Sequence, residues 1–143
     1  MDVDTLLSLT LRTGSIYYFC HRHTTSSEPH YFVVLNDNPN TDKIILLLIA
    51  SSQIEKVILR RKNMAPETVV IVKTGTHSDF KKDTVFDCNH VFEIHRDELR
   101  GKILRKEIDP SKCVDLPEHI LDKVIKGVKE SPLVENKYKK YLP

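Results

Sequence analysis

The sequence predicts an α+β domain of mainly β structure, arranged as a small antiparallel barrel with an inserted helix and a C-terminal helix. Several short apolar runs end in polar residues, a pattern typical of strands that carry a site on a barrel rim. One helical segment interrupts these runs, whereas a parallel sheet would alternate strands and helices. The length of 143 residues fits a single domain over 1–143, with the barrel at about 14–100 and the final helix at about 115–131.

The first elements are a short helix and an aromatic strand. Within Asp4–Leu11 a short helix is predicted with Leu6, Leu7 and Leu11 on one side, and Gly14 offers a helix stop. Ile16–Cys20 is rich in aromatic residues and predicts a strand. The polar segment His21–Pro29 that follows is expected to be a loop.

A hairpin is predicted next, and its second arm is the most apolar strand of the chain. Tyr31–Leu35 has the composition of a strand, and Asn36–Asn40 is dense in turn-forming residues. This turn makes Lys43–Ile49 the antiparallel neighbour. Because nearly every position of Lys43–Ile49 is apolar, we expect this central strand to be buried on both faces.

The inserted helix is predicted over Ser52–Lys62, because Ser52 and Glu55 form the Ser-x-x-Glu pattern of a capping box. The apolar stripe of this helix consists of Ile54, Val57 and Ile58. Its basic cluster consists of Lys56, Arg60, Arg61 and Lys62. Such a cluster can bind phosphate, although a solvated helix face is the commoner reason for it.

Further strands precede the C-terminal helix. Thr68–Lys73 is β-branched and strand-like, while Asp83–Phe86 and His90–Ile94 predict two strands, or one strand bent between them. His95–Arg100 is expected to form a single helical turn. Asp115–Ser131 is the clearest helix.

Three residues define the predicted start of that last helix. Asp115 is expected to cap it, Pro117 to occupy its first turn and Glu118 to complete the capping pattern. Its apolar stripe consists of Ile120, Leu121, Val124, Ile125 and Val128.

Composition and charge exclude several classes of protein. The hydrophobic fraction of 40% and the charged fraction of 29% are ordinary for globular proteins. No apolar run approaches the roughly 20 residues of a membrane span. Acidic residues also stand where a signal peptide would be basic, so we expect a cytoplasmic protein without a membrane partner. The net charge of +2 is too small to indicate nucleic-acid binding by itself.

Cysteine and histidine spacing gives little support to a disulfide or a metal. The cysteines are Cys20, Cys88 and Cys113. Their odd number argues against a disulfide framework, and no Cys-x-x-Cys pair indicates zinc. His21 and His23 share one face of an extended segment, but no second ligand group is evident. A Cys88–His90 nucleophile has no further support. We therefore expect no metal and no cofactor.

Four short motifs occur in an order that is found in a known family. Gly14-Ser15-Ile16-Tyr17 stands where that family opens with a Gly-Asp-Ile-like strand, and Glu28-Pro29-His30 precedes a Val-rich strand as the family's Arg-Pro does. Ile49-Ala50-Ser51-Ser52 stands where the family has a strand ending in Ile-Thr-Ser. Thr84–His90 is similar to its hydroxyl-rich strand with an Asp-Gln pair. Over roughly residues 14–131, the chain thus resembles the MazF/PemK/Kid family of bacterial toxins.

The resemblance implies an SH3-like barrel of the PemK/Kid type and a homodimer. It implies a toxin of a toxin–antitoxin system, which is a metal-independent endoribonuclease that cleaves single-stranded RNA. A small antitoxin protein would neutralise it by binding across the RNA groove. Two departures concern the chemistry: His30 replaces the loop arginine that contacts phosphate, and Asn89-His90 replaces the Asp-Gln pair.

The candidate site combines this resemblance with the needs of metal-free RNA cleavage. Such cleavage needs a base, a donor that stabilises the phosphorane and an acid for the leaving oxygen. Histidine suits either proton role because its ordinary pKa lies near neutrality. We expect His30 to transfer protons or contact phosphate, Ser51 to hold phosphate, and Asp87 to orient groups or act as base. The expected substrate-binding residues are Ser52, Asn89, His90, His21 and His23.

Other interpretations of these residues stay open at this point. Ser52 can serve as the helix cap, and Asp87 can be a surface residue paired with Lys81 or Lys82. The histidines can simply occupy a polar loop and strand ends. The departures from the family also leave an alternative function, which is a non-catalytic SH3-like module that binds nucleic acid or a protein.

Overall fold

The computed structural model describes residues 1–24 and 28–143. Residues 25–27 of the predicted loop lie outside the described residues. The strands are β1 (Ile16–Phe19), β2 (His30–Val34), β3 (Ile44–Ser51), β4 (Val69–Val72), β5 (Thr84–Asp87) and β6 (Phe92–His95). The helices are α1 (Val3–Thr10), α2 (Ile54–Arg60), α3 (Arg96–Leu104), α4 (Glu118–Glu130) and α5 (Asn136–Lys139), and a 3₁₀ turn covers Pro66–Thr68.

The strands form one antiparallel sheet around β3. Its order is β1-β2-β3-β5-β4, and β6 also pairs with β3. The predicted α+β class with an antiparallel sheet is therefore confirmed. Within residues 1–24 and 28–143 no pairing joins β1 to β4, so the sheet is not closed into a barrel.

The central strand β3 is buried on both faces, as predicted. Ile45 and Leu47 belong to a core that also contains leucines of α1 and α3. Leu46 and Leu48 point to the opposite face, where they pack in a second core with the apolar stripe of α4. Alternation along the strand sends neighbouring side chains to opposite faces, which places helices on both sides of the sheet.

The last two strands pair with consecutive parts of β3. Phe86 of β5 pairs with Ala50, whereas Phe92 of β6 pairs with Leu47. The chain leaves the ladder between them, at Cys88–Val91, and so forms two strands rather than one continuous strand. This break carries His90 to the end of the sheet at which β3 runs into α2.

The predicted capping box of α2 is wrong. Gln53 occupies the N-cap position without a side-chain hydrogen bond, and the helix starts at Ile54. The Ser51 hydroxyl instead accepts the Gln53 N–H at 3.1 Å, which closes a local turn before the helix begins. In the predicted stripe Val57 is buried, but Ile58 is 47% exposed.

The predicted cap of the C-terminal helix is also wrong. Pro117 occupies the N-cap position of α4, and the Asp115 carboxylate pairs with Arg12 instead. α3 is longer than the single turn predicted over His95–Arg100, and its cap is the His95 ring, which accepts the Asp97 N–H at 3.2 Å. None of the helices in the described ranges has the length and apolar character needed to cross a membrane.

Candidate functional site

A cleft of about 480 Å³ lies where the ends of β2 and β3 meet α2 and the Cys88–Val91 break. Its polar lining consists of His23, Thr24, His30, Ser51, Gln53, Lys56, Arg60, Asp87 and His90. The structure thus brings together five of the predicted site residues. Three others, His21, Ser52 and Asn89, do not line this cleft.

His30 and Ser51 are placed by strand ends. His30 is the first residue of β2 and pairs with Phe19, while Ser51 is the last residue of β3 and pairs with Val85. The His30 side chain is half-buried and has no hydrogen-bond partner within the described ranges. Its ring nitrogens are therefore available to a ligand.

A second depression, of about 550 Å³, adjoins the first. It shares His30, Ser51 and Gln53 with the cleft and adds Ser52 and the lysines Lys81 and Lys82. Ser52 is exposed and has no hydrogen-bond partner among the described residues. His30 and Ser51 consequently line both depressions, so each of these side chains can contact a ligand that extends from one depression into the other.

Asp87 is the most constrained member of the cleft. It is only 6% exposed, and its Oδ2 accepts hydrogen bonds from Arg61 Nε at 2.9 Å and Arg60 Nη2 at 3.2 Å. Burial acts to raise the pKa of Asp87, but hydrogen bonds from Arg61 and Asn89 outweigh it and hold the pKa below its usual value. A carboxylate held in this way stays ionised and is a poor base. Its ion-pair partners are Arg60 and Arg61, not Lys81 or Lys82.

Arg60 and Lys56 are cleft residues that the sequence interpretation missed. Arg60 is held at one end by Asp87, yet its side chain is 53% exposed. Lys56 lies one turn earlier on the same helix face, since residues four apart are neighbours on a helix. The basic cluster of α2 could have pointed to them, but its sequence does not show that Lys56 and Arg60 line the cleft while Arg61 and Lys62 do not.

His90 sits in a setting that favours the neutral imidazole. Its ring stacks on Phe92 with centroids 4.4 Å apart and an interplanar angle of 24°. Burial lowers the pKa of His90, and the nearby guanidinium groups of Arg61 and Arg60 lower it further against the opposing effect of Asp87. A neutral ring can accept a proton, whereas the amide of Asn89 has no basic site and the ion-paired Asp87 is a weak base.

His21 has a structural role. It is buried, its Nδ1 accepts the His23 N–H at 3.1 Å and its Nε2 contacts the Glu93 carbonyl at 2.9 Å. Both ring nitrogens are therefore occupied, and this pattern corresponds to the neutral ring with the proton on Nε2. Desolvation lowers the pKa of His21, in agreement with that form. His23, by contrast, is exposed at the mouth of the cleft.

Asn89 is also structural. Its amide nitrogen donates to Thr68 Oγ1 at 3.0 Å and to Asp87 Oδ1 at 3.1 Å, and its amide oxygen accepts from Ser131 Oγ at 2.6 Å. These bonds tie the end of β5 to the end of α4 inside the protein. The side chain has no remaining donor for a substrate.

The described residues contain no group of three or more His, Cys, Asp or Glu that could hold a metal ion. Within the described residues no disulfide joins the three cysteines. Comparison with known proteins adds no assignment, because no family model and no curated protein matches the chain. The function proposed below therefore rests on the sequence motifs and on the chemistry of the cleft.

Proposed function

We propose that this protein is a metal-independent endoribonuclease that cleaves single-stranded RNA, and that it is a toxin of the MazF/PemK/Kid type. The observation that carries the proposal is the common cleft of His30, Ser51, Arg60 and His90. It combines two imidazoles for proton transfer with a guanidinium for the phosphorane, which are the groups that metal-free cleavage needs.

The proposed reaction is an internal transfer followed by loss of the downstream strand. His90 takes the proton of the 2′-hydroxyl, and the 2′-oxygen attacks the phosphorus. The bond from phosphorus to the 5′-oxygen breaks, and protonated His30 supplies the proton that this oxygen needs. The products are a 2′,3′-cyclic phosphate and a free 5′-hydroxyl.

The remaining cleft residues bind and orient the phosphate. Arg60 is half-exposed and carries the charge that the crowded phosphorane requires, while Lys56 and the Ser51 hydroxyl add donors on either side. Asp87 takes a positioning role, since it holds both arginines of α2 by their guanidinium groups. This role replaces that of the base considered from sequence.

The same proposal includes the fold type of the sheet and the partners of the protein. We assign the open sheet to the SH3-like class of the PemK/Kid type, which is supported by the antiparallel order, the helix inserted after β3 and the helix α4. A homodimer, a small antitoxin protein and a cytoplasmic setting follow from the resemblance.

Incubation of the pure protein with single-stranded RNA in excess EDTA tests the proposal. We expect discrete fragments whose 3′ ends are cyclic phosphates, detected by phosphatase resistance before acid treatment. A His30→Ala/His90→Ala double variant, prepared in parallel, controls for contaminating ribonuclease. Intact RNA with the wild-type protein would rule out the enzyme.

The second candidate is a non-catalytic module that binds nucleic acid or a protein through the same cleft. One observation favours it: among the described residues that line the cleft, the single carboxylate, Asp87, is neutralised by two arginines. Tight RNA binding without fragments in the EDTA experiment would select this function. Lys56→Ala should then weaken binding and reduce its salt dependence.

A further inference from the structure

The cleft and the second depression meet at His30 and Ser51, which line both of them. The other functional groups are divided between the two. His90 lines the cleft but not the depression, whereas Tyr31 and Lys82 line the depression but not the cleft. A strand of RNA that fills both must therefore pass His30 on its way from one to the other.

The proton roles of the proposed reaction fix the direction of that strand. His90 takes the proton of a 2′-hydroxyl, which belongs to the nucleotide on the 5′ side of the scissile phosphate. His30 protonates the 5′-oxygen, which belongs to the nucleotide on the 3′ side. Because His90 faces only the cleft, the upstream nucleotide lies there, and the downstream nucleotide continues past His30 into the depression.

The depression has an aromatic wall. Tyr31 of β2 is half-buried and packs against the Tyr18 ring with centroids 4.4 Å apart, while the Phe80 ring meets it edge-on at 5.8 Å. Because two neighbouring rings fix its orientation, Tyr31 loses little freedom when a further ring stacks on it. Bases of single-stranded RNA bind to aromatic side chains in this way.

The charges of the depression balance. Lys82 is exposed, and its ammonium has no partner in the described part of the chain, while Lys81 donates to a carbonyl of its own loop at 2.9 Å. Two carboxylates, Glu28 and Asp79, line the same depression, and Asp79 Oδ2 accepts the Val114 N–H at 3.0 Å. Two lysines and two carboxylates suit an uncharged base with one phosphate better than a multiply charged ligand.

We propose that this depression binds the nucleotide on the 3′ side of the scissile phosphate, with its base on Tyr31 and its own 3′-phosphate on Lys82. The inference rests on the proposed nuclease and adds the polarity of the bound strand. It also makes the downstream nucleotide part of what the enzyme recognises.

Three short RNA substrates test the proposal, each built on a cleavage position mapped in EDTA. The first ends in one downstream nucleotide with a 3′-phosphate, the second lacks this phosphate, and the third has an abasic downstream residue. For the wild type, each omission should lower kcat/KM about tenfold. A fourth substrate, abasic one residue upstream of the cleavage position, serves as the comparison for the cleft.

Matched variants assign each loss to a side chain. Lys82→Ala should no longer distinguish the substrates with and without the 3′-phosphate, and Tyr31→Leu should no longer distinguish the base from its abasic analogue. Leucine keeps apolar volume at the packed position, and Tyr31→Phe should retain the discrimination. Lys123→Ala, an exposed lysine of α4 that lines neither the cleft nor the depression, should behave as the wild type. Circular dichroism melts verify that each variant is folded.

The possible failures are distinguishable. If the wild type cleaves RNA but Lys82→Ala and Tyr31→Leu discriminate as the wild type does, this inference is wrong and the nuclease stands. If the variants lose discrimination at the upstream residue instead, the strand runs in the opposite direction. If the wild type cleaves none of the substrates, the nuclease fails and this polarity fails with it.

Discussion

Arg61 and Asp87 form an ion pair that joins the end of α2 to the end of β5. Arg61 Nε lies 2.9 Å from Asp87 Oδ2, and both side chains are largely buried. Asp87 also binds Arg60, whose guanidinium reaches the open cleft. The Asp87 carboxylate therefore links a largely buried arginine, Arg61, to a half-exposed arginine, Arg60, in the candidate RNA site.

Asp87→Asn should lower the free energy of unfolding by about 1–3 kcal/mol at pH 7, because it leaves the largely buried Arg61 guanidinium without its counter-charge. Urea denaturation followed by circular dichroism measures the change. Asp97→Asn is the control, since the Asp97 side chain is 87% exposed and its loss should matter little.

The difference between wild type and Asp87→Asn should also depend on pH. A lowered carboxyl pKa stabilises the folded state above the unfolded value of 3.8, and this contribution is lost as pH falls through the folded pKa. The two unfolding free energies should therefore converge at acidic pH below 3.8. A constant difference across that range would contradict the ion-pair explanation.

Arg60→Ala and Arg61→Ala should separate RNA binding from stability. The Arg60 side chain is 53% exposed and that of Arg61 only 16%. Arg60→Ala should weaken RNA binding with little change in melting temperature. Arg61→Ala should mainly lower the melting temperature. Fluorescence anisotropy at several salt concentrations and thermal melts give the two readouts. Equal effects of both variants on both readouts would refute this division.

His30→Ala should abolish RNA cleavage and leave the fold intact. The His30 ring makes no hydrogen bond within the described ranges, so its removal costs no buried polar contact. Cleavage of a fluorescent oligonucleotide measures activity, and a thermal melt verifies folding. His119→Ala on the exposed face of α4 is the matched histidine control. Unchanged cleavage by His30→Ala would eliminate the assignment.

His21→Ala should destabilise the protein by about 1–3 kcal/mol, because it leaves the Glu93 carbonyl and the His23 N–H without their partner. The wild type should lose stability as pH falls below 6.5, since the lowered pKa of His21 keeps the folded ring neutral while the unfolded ring takes up a proton. The unfolding free energy of His21→Ala should therefore fall less than that of the wild type as the pH is lowered. Denaturant titrations between pH 7 and pH 5 provide the comparison.

Gly127→Ala and Gly101→Ala should have opposite effects on stability. A Cβ at Gly127 would lie 2.5 Å from the Glu67 carbonyl oxygen and 2.8 Å from Cys88 Sγ, so the close packing of α4 must open. We expect a loss of about 1–3 kcal/mol. A Cβ at Gly101 meets only the flexible end of Arg105, and alanine there should stabilise α3 by up to about 1 kcal/mol. Thermal unfolding of both variants decides this.

Hydrophobic patterns were enough to predict the α+β class, the central strand and the longest helix. The uninterrupted apolar character of Ile44–Ile49 marked a strand buried on both faces, and the stripe of α4 marked a helix covering one core. Helix starts were less predictable. Ser52 and Asp115 had capping patterns, but Ser51 closes a local turn and Asp115 pairs with Arg12 instead.

Which side chains share the cleft, and what each contributes, depends on contacts between segments that are far apart in sequence. His30 and His90 belong to different strands, and Arg61 meets Asp87 across 26 positions of sequence. Nothing local distinguishes His21, whose ring nitrogens are both occupied, from His30, whose ring has no hydrogen-bond partner among residues 1–24 and 28–143. Local sequence patterns reflect the hydrophobic period of helices and strands and the preferences of turns. The burial, charge pairing and ligand access of the cleft side chains depend instead on strand register and on the packing of α2.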